Sequence, residues 1–126
     1  MRIDVKTLCI GSHEGYKGKR VRVSLVRDDG CICEYKDNGQ DVIVGLGIER
    51  QPIPITPELL AELGFEYTSH DFGMWWQKKI GNRLCEIDES NDKWIIVYKG
   101  CDCAIRYLHE AEALLALHGV ELIKEG

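Results

Sequence analysis

The residues best suited to chemistry in this chain are six cysteines and four histidines, set among 21 carboxylates. The run YLHEAEALLALHG, residues 107–119, opens like the helix of a zinc protease, where two histidines one turn apart hold the ion and a glutamate activates water. Here the position four after His109 is Ala113, and the next histidine, His118, is nine positions on. At about 100° per residue that is the opposite side of a helix, so the two share no ion. His118 instead suits the last helical turn, where a cation favours the negative end of the dipole. Four cysteines form two Cys-x-Cys pairs, Cys31/Cys33 and Cys101/Cys103. Four thiols are a zinc donor set, but structural zinc normally uses a Cys-x2-Cys knuckle whose turn lets both sulfurs reach one ion. In CICEY, which reads as a strand, the two thiols share a face and project in parallel. Buried, inert thiols are therefore expected, with no metal ligand and no cofactor.

Nucleophilic catalysis needs a thiol or hydroxyl, a base and an orienting group that meet in space, and no local spacing recommends any such trio. His70 and Asp71 are neighbours that a strand would point to opposite faces, and Asp71 suits the turn before Phe72-Gly73. GSHEGYKGK is glycine-rich but lacks the spacing of a phosphate loop. No catalytic residue is assigned, and a non-enzymatic protein is expected.

Two surfaces could bind instead. Lys17, Lys19, Arg20, Arg22 and Arg27 cluster on one hairpin with Tyr16 as a stacking group, a candidate nucleic-acid face opposed by Glu14, Asp28 and Asp29 nearby. Met74-Trp75-Trp76 is the candidate protein interface. Consecutive strand residues face opposite sides, so both indoles are buried only if both faces of their sheet are covered, and an uncovered indole anchors a partner.

The elements that position these residues fall into two rhythms. Residues 8–48 read as short strands broken by the glycine turns GYKGKR, RDDGC and KDNGQ, with Asn38-Gly39 a hairpin signal. VRVSLV alternates, so Val21, Val23 and Leu25 are expected to face a core. CICEY and DVIVGLGI supply further strands, and the set suggests a small SH3-like barrel at 1–50. In QPIPITPELLAELGF, Thr56 is a predicted N-cap, Pro57 the first helical residue, Leu59, Leu60 and Leu63 an apolar stripe, and Gly64 the stop. A three-stranded antiparallel meander follows, from MWWQKKI, RLCEID and KWIIVYK, with FEYTSH as an edge or lead-in. A closing helix is predicted from about Ala104 to His118, burying Ile105, Leu108, Ala111, Leu114 and Leu115. The expected fold is thus α+β, a barrel at 1–50 followed by an αβββα unit at 51–126.

The segments PIPITPELLAELGF and IRYLHEAEALLALHGVEL resemble a family of short uncharacterised proteins of gut Bacteroidetes and their phages or prophages. That family opens with an Ile-Gly turn, here Ile10-Gly11, and carries a proline-flanked element matched by Thr56, Glu58, Leu60, Gly64 and Phe65. It ends on a helix matched by Tyr107, His109, Leu114, Leu117, Gly119, Glu121 and Leu122. The resemblance implies no activity, catalytic residue or cofactor. It implies a phage-like or mobile-element context, in which small binding modules are common.

Composition sets outer bounds. A hydrophobic fraction of 44% with 29% charged residues is that of a folded globular chain. The net charge of −5 is uneven: residues 1–50 hold nine Lys/Arg against eight Asp/Glu, residues 51–126 seven against thirteen. The acidic second part disfavours phosphate contacts, leaving any nucleic-acid role to the first. Asp4 and Lys6 interrupt the apolar stretch a signal peptide needs, and no run is long enough to span a bilayer. A cytoplasmic protein with reduced thiols is expected, acting on a protein partner or on itself.

Overall fold

The computed structural model describes residues 11, 13–27, 30–45, 51–71, 73–90 and 93–123. Ile10, Asp28, Asp29, Phe72, Asn91, Asp92, the tail of DVIVGLGI and the side chains of Arg27 and His70 lie outside the described residues. Two compact units partition the chain, one of residues 1–53 with 107–113, the other of 54–106 with 114–126.

The first unit is built on a four-stranded antiparallel sheet in chain order: β1 (His13–Tyr16), β2 (Lys19–Arg27), β3 (Gly30–Asp37) and β4 (Gln40–Val44). Two-residue turns at Lys17-Gly18 and Asn38-Gly39 hold positive φ at both positions, the geometry whose twist matches paired strands. The sheet does not close into the expected barrel. Among the described residues each strand pairs only with its chain neighbours, and the free side of β1 is met by Gln51, which exchanges two backbone hydrogen bonds with Gly15 at 2.7 and 2.8 Å. The inner face buries Val21, Val23, Cys31, Cys33 and Val44. Leu25, expected inside, is 38% exposed. A bulge between Val23 and Leu25 shifts the register, so Val26 rather than Leu25 returns to the core opposite Cys31.

The second unit holds α1 (Pro57–Glu62) and a five-stranded antiparallel meander: β5 (Glu66–His70), β6 (Gly73–Ile80), β7 (Arg83–Ser90), β8 (Lys93–Tyr98) and β9 (Cys101–Ile105). Thr56 caps α1 by accepting from the Leu59 N–H at 3.1 Å, and Leu60 is fully buried beneath it. The core is apolar: Ile80, Cys85, Ile87, Ile96, Tyr98 and Ile105 are all 5% exposed or less. Tyr98 satisfies its hydroxyl by donating to the Ile80 carbonyl at 2.6 Å.

Helix α2 (Leu108–Leu117) gives its first residues to one unit and its last to the other. The predicted start at Ala104 is therefore wrong. Lys99-Gly100 forms another positive-φ turn, and residues 101–105 pair with β8 as a strand. Ile105 is buried as expected, but by pairing opposite Trp94 rather than from a helix. Among the described residues nine strands against helices of ten and six residues make the chain mostly β, so the expected α+β barrel with an αβββα unit is replaced by two open antiparallel sheets. Among the described residues no helix is long and apolar enough to cross a membrane.

Candidate functional site

Hairpin geometry brings the reactive groups of the first unit together. The tight Lys17-Gly18 turn sets Glu14 opposite Val21, on the inner face, and His13 opposite Arg22, on the outer. Val23 pairs with Cys33, and Cys31, two residues along the same strand, shares its face opposite Val26. Glu14, Cys31 and Cys33 are thus all buried, at 1, 2 and 0% exposure, inside a valine-lined core. The Cys31 thiol donates to Glu14 Oε1 at 2.9 Å, Cys33 Sγ lies 3.8 Å from the same oxygen, and the two sulfurs are 3.9 Å apart. The thiols share a face as expected, but they converge on an acid instead of standing in parallel.

On the outer face His13 meets α2. Its backbone N–H donates to Glu112 Oε1 at 2.8 Å, and its Nδ1 lies 2.7 Å from Oε2, so one carboxylate serves both groups. His13 and Glu112 are 2% and 7% exposed. Tyr107 stacks flat on the buried His109, with centroids 5.8 Å apart and planes 8° from parallel. The Tyr107 N–H donates to Glu110 Oε1 at 2.9 Å, which ties down the first turn of the helix.

The basic hairpin is described for all but the Arg27 side chain. Lys17, Lys19 and Arg20 are exposed. Lys17 Nζ lies 5.3 Å from the Tyr16 ring and Lys19 Nζ 4.7 Å from the Tyr35 ring, while Tyr16 itself packs on the core beside Tyr35. Arg22 pairs with Glu34 at 3.4 Å. Glu14 is not the surface counter-charge that its position suggests, because it is interior.

No family model, no curated protein and no solved structure matches this chain. Its sites rest on their own geometry.

The aromatic candidates divide across the five-stranded sheet. Trp76 lies opposite Tyr67 and Ile87, on the core-bearing face, and Trp75 lies opposite Thr68, on the other. Both indoles are half-buried. Tyr67, 55% exposed, packs on Trp76 with centroids 5.0 Å apart, and Met74, 47% exposed, is two residues along the same face. The strip lies on β5 and β6, and β5 ends the sheet with no described strand on its outer side. Cys101 and Cys103 are exposed on β9, at the other end of that sheet.

Sequence reasoning missed Glu14 as a site residue and Tyr67 as the companion of Trp76. Both signals were present in the register. A two-residue turn at Lys17-Gly18 places Glu14 across from an inward valine, and the register that pairs His70 with Gly73 places Tyr67 across from Trp76.

Proposed function

We propose that this chain is a non-enzymatic binding module that docks an extended segment of a partner protein along β5. The observation that carries this is the Tyr67–Trp76–Met74 strip, an aromatic and thioether surface beside an open strand edge. Such an edge offers backbone donors and acceptors to an added strand, and the side chains beside it supply selectivity. Burying a large exposed side chain at an interface contributes about 1.5–3 kcal/mol. Trp75 lies on the other face and is expected to contribute little. The resemblance of the 52–65 and 105–122 segments to phage-associated proteins is consistent with a small recognition module of a mobile element.

Selection of displayed random peptides against the whole chain tests this. Ligands should quench or shift tryptophan emission, perturb β5 amides, and bind the Tyr67→Ala/Met74→Ala double variant at least ~10-fold more weakly. Ligands indifferent to that double variant, or a selection yielding none, would overturn the docking edge. A nucleic-acid role is the second reading, favoured by Lys17, Lys19 and Arg20 exposed together at one hairpin tip. It requires a mobility shift that weakens steadily as salt rises, lost when these three become glutamine.

A further inference from the structure

We propose that Glu14, Cys31 and Cys33 form a binding site for a thiophilic divalent cation, of which zinc is the best fit. The three donor atoms define a triangle with sides of 2.9, 3.8 and 3.9 Å. A point about 2.1 Å from all three lies at the centre of such a triangle, and moving slightly out of its plane reaches the ~2.3 Å of a zinc–thiolate bond and the ~2.0–2.2 Å of a zinc–carboxylate bond. Among the described residues this is the group whose histidine, thiol or carboxylate donors close within metal-binding reach. Two thiolates select zinc over magnesium or calcium, which prefer oxygen cages.

The framework is suited to holding that geometry. The donors stand on β1 and β3, which flank β2, so backbone ladders on both sides fix their spacing. Cys31 and Cys33 are alternate residues of β3 and so share its inner face, and the bulge at β2 sets Val26 rather than Leu25 against Cys31. Valines pack around the trio and limit access of water, which strengthens the attraction between the ion and its ligands. Coordination displaces the thiol protons, one from each cysteine, and leaves a site of two thiolates and one carboxylate around the cation. The fourth position of a tetrahedral ion is filled from outside this trio.

Reconstitution of the whole reduced chain of 126 residues with cobalt(II) and zinc(II) tests the assignment. One equivalent of cobalt should give thiolate-to-cobalt charge-transfer bands and the intense visible bands of a tetrahedral ion, and one equivalent of zinc should bleach them. Glu14→Gln, Cys31→Ser and Cys33→Ser should each weaken zinc binding by at least ~10-fold, the loss expected even for groups that only support metal ligands. The Cys101→Ser/Cys103→Ser variant, altered on the exposed β9, should bind as the parent does. A reduced parent chain with no thiolate–cobalt bands would overturn the proposal, whatever the variants do. So would bands that vanish in the Cys101/Cys103 variant and persist in folded Cys31→Ser.

Discussion

The two sheets are made by the same device and filled in opposite ways. Both are antiparallel meanders, and both use two-residue turns of positive φ, as at Asn38-Gly39 in one and Gly81-Asn82 in the other. The four-stranded sheet buries its reactive groups, with Glu14, Cys31 and Cys33 on its inner face and His13 covered on its outer one. The five-stranded sheet buries isoleucines, a tyrosine and the single thiol of Cys85, keeps Cys101 and Cys103 outside, and displays Tyr67 and Met74. Interior polarity costs stability unless it is fully satisfied, and its concentration in the four-stranded sheet coincides with the proposed metal site. The other sheet carries the proposed recognition surface on its outside.

The contrast breaks most easily in the cores. Ile87→Ala, at a fully buried position of the apolar sheet, should cost about 2–5 kcal/mol in urea unfolding. Cys33→Val, equally buried in the polar sheet, should cost under ~1.5 kcal/mol without metal, because volume is conserved and a polar atom is removed. Equal losses would mean that the two interiors serve the same structural purpose.

A smaller effect separates turn strain from packing within the five-stranded unit. Gly81 and Gly100 both sit at positive φ, +56° and +76°, but a Cβ at Gly81 would lie 2.6 Å from Val120 Cγ1, while nothing lies within 4 Å at Gly100. Gly81→Ala should therefore lower stability by roughly 1–3 kcal/mol and Gly100→Ala by about 1 kcal/mol or less. Thermal midpoints of the two variants give the comparison, and a larger drop for Gly100→Ala would contradict the packing assigned around Gly81.

The smallest effect is in alkali. Burial, with Glu86 beside it, pushes the Cys85 thiol up to about 12 against a weaker opposing pull from Lys78. The folded chain keeps a proton that the unfolded chain releases near pH 9, so this group makes stability fall as pH rises from about 9 to about 12. Urea midpoints between pH 8 and 10.5 should decline more steeply in the parent than in Cys85→Val, and parallel declines would remove this contribution.

How much of this was legible in the sequence depended on which physical signal governed each element. Helix α1 was readable because Thr56, Pro57 and Gly64 act locally, through a cap, a fixed φ and a positive-φ stop. Asn38-Gly39 was readable for the same reason. Strand β9 was lost because Ile105 and Leu108 share a helical spacing, although the first is buried by a strand and the second by a helix. The bulge left no trace, since VRVSLV alternates cleanly and only its pairing with β3 reveals the slipped register. Glu14 was overlooked because a charged residue beside lysines reads as surface, whereas the hairpin register carries it inside. Local chemistry was visible, and non-local pairing, which assembles the site, was not.

The division of labour between the sheets is tested most directly by amide hydrogen exchange of the whole reduced chain with and without one equivalent of zinc. Slower exchange confined to residues 13–16 and 30–35, with 73–98 unchanged, is the predicted result. No change anywhere, or equal slowing in both sheets, would contradict the account.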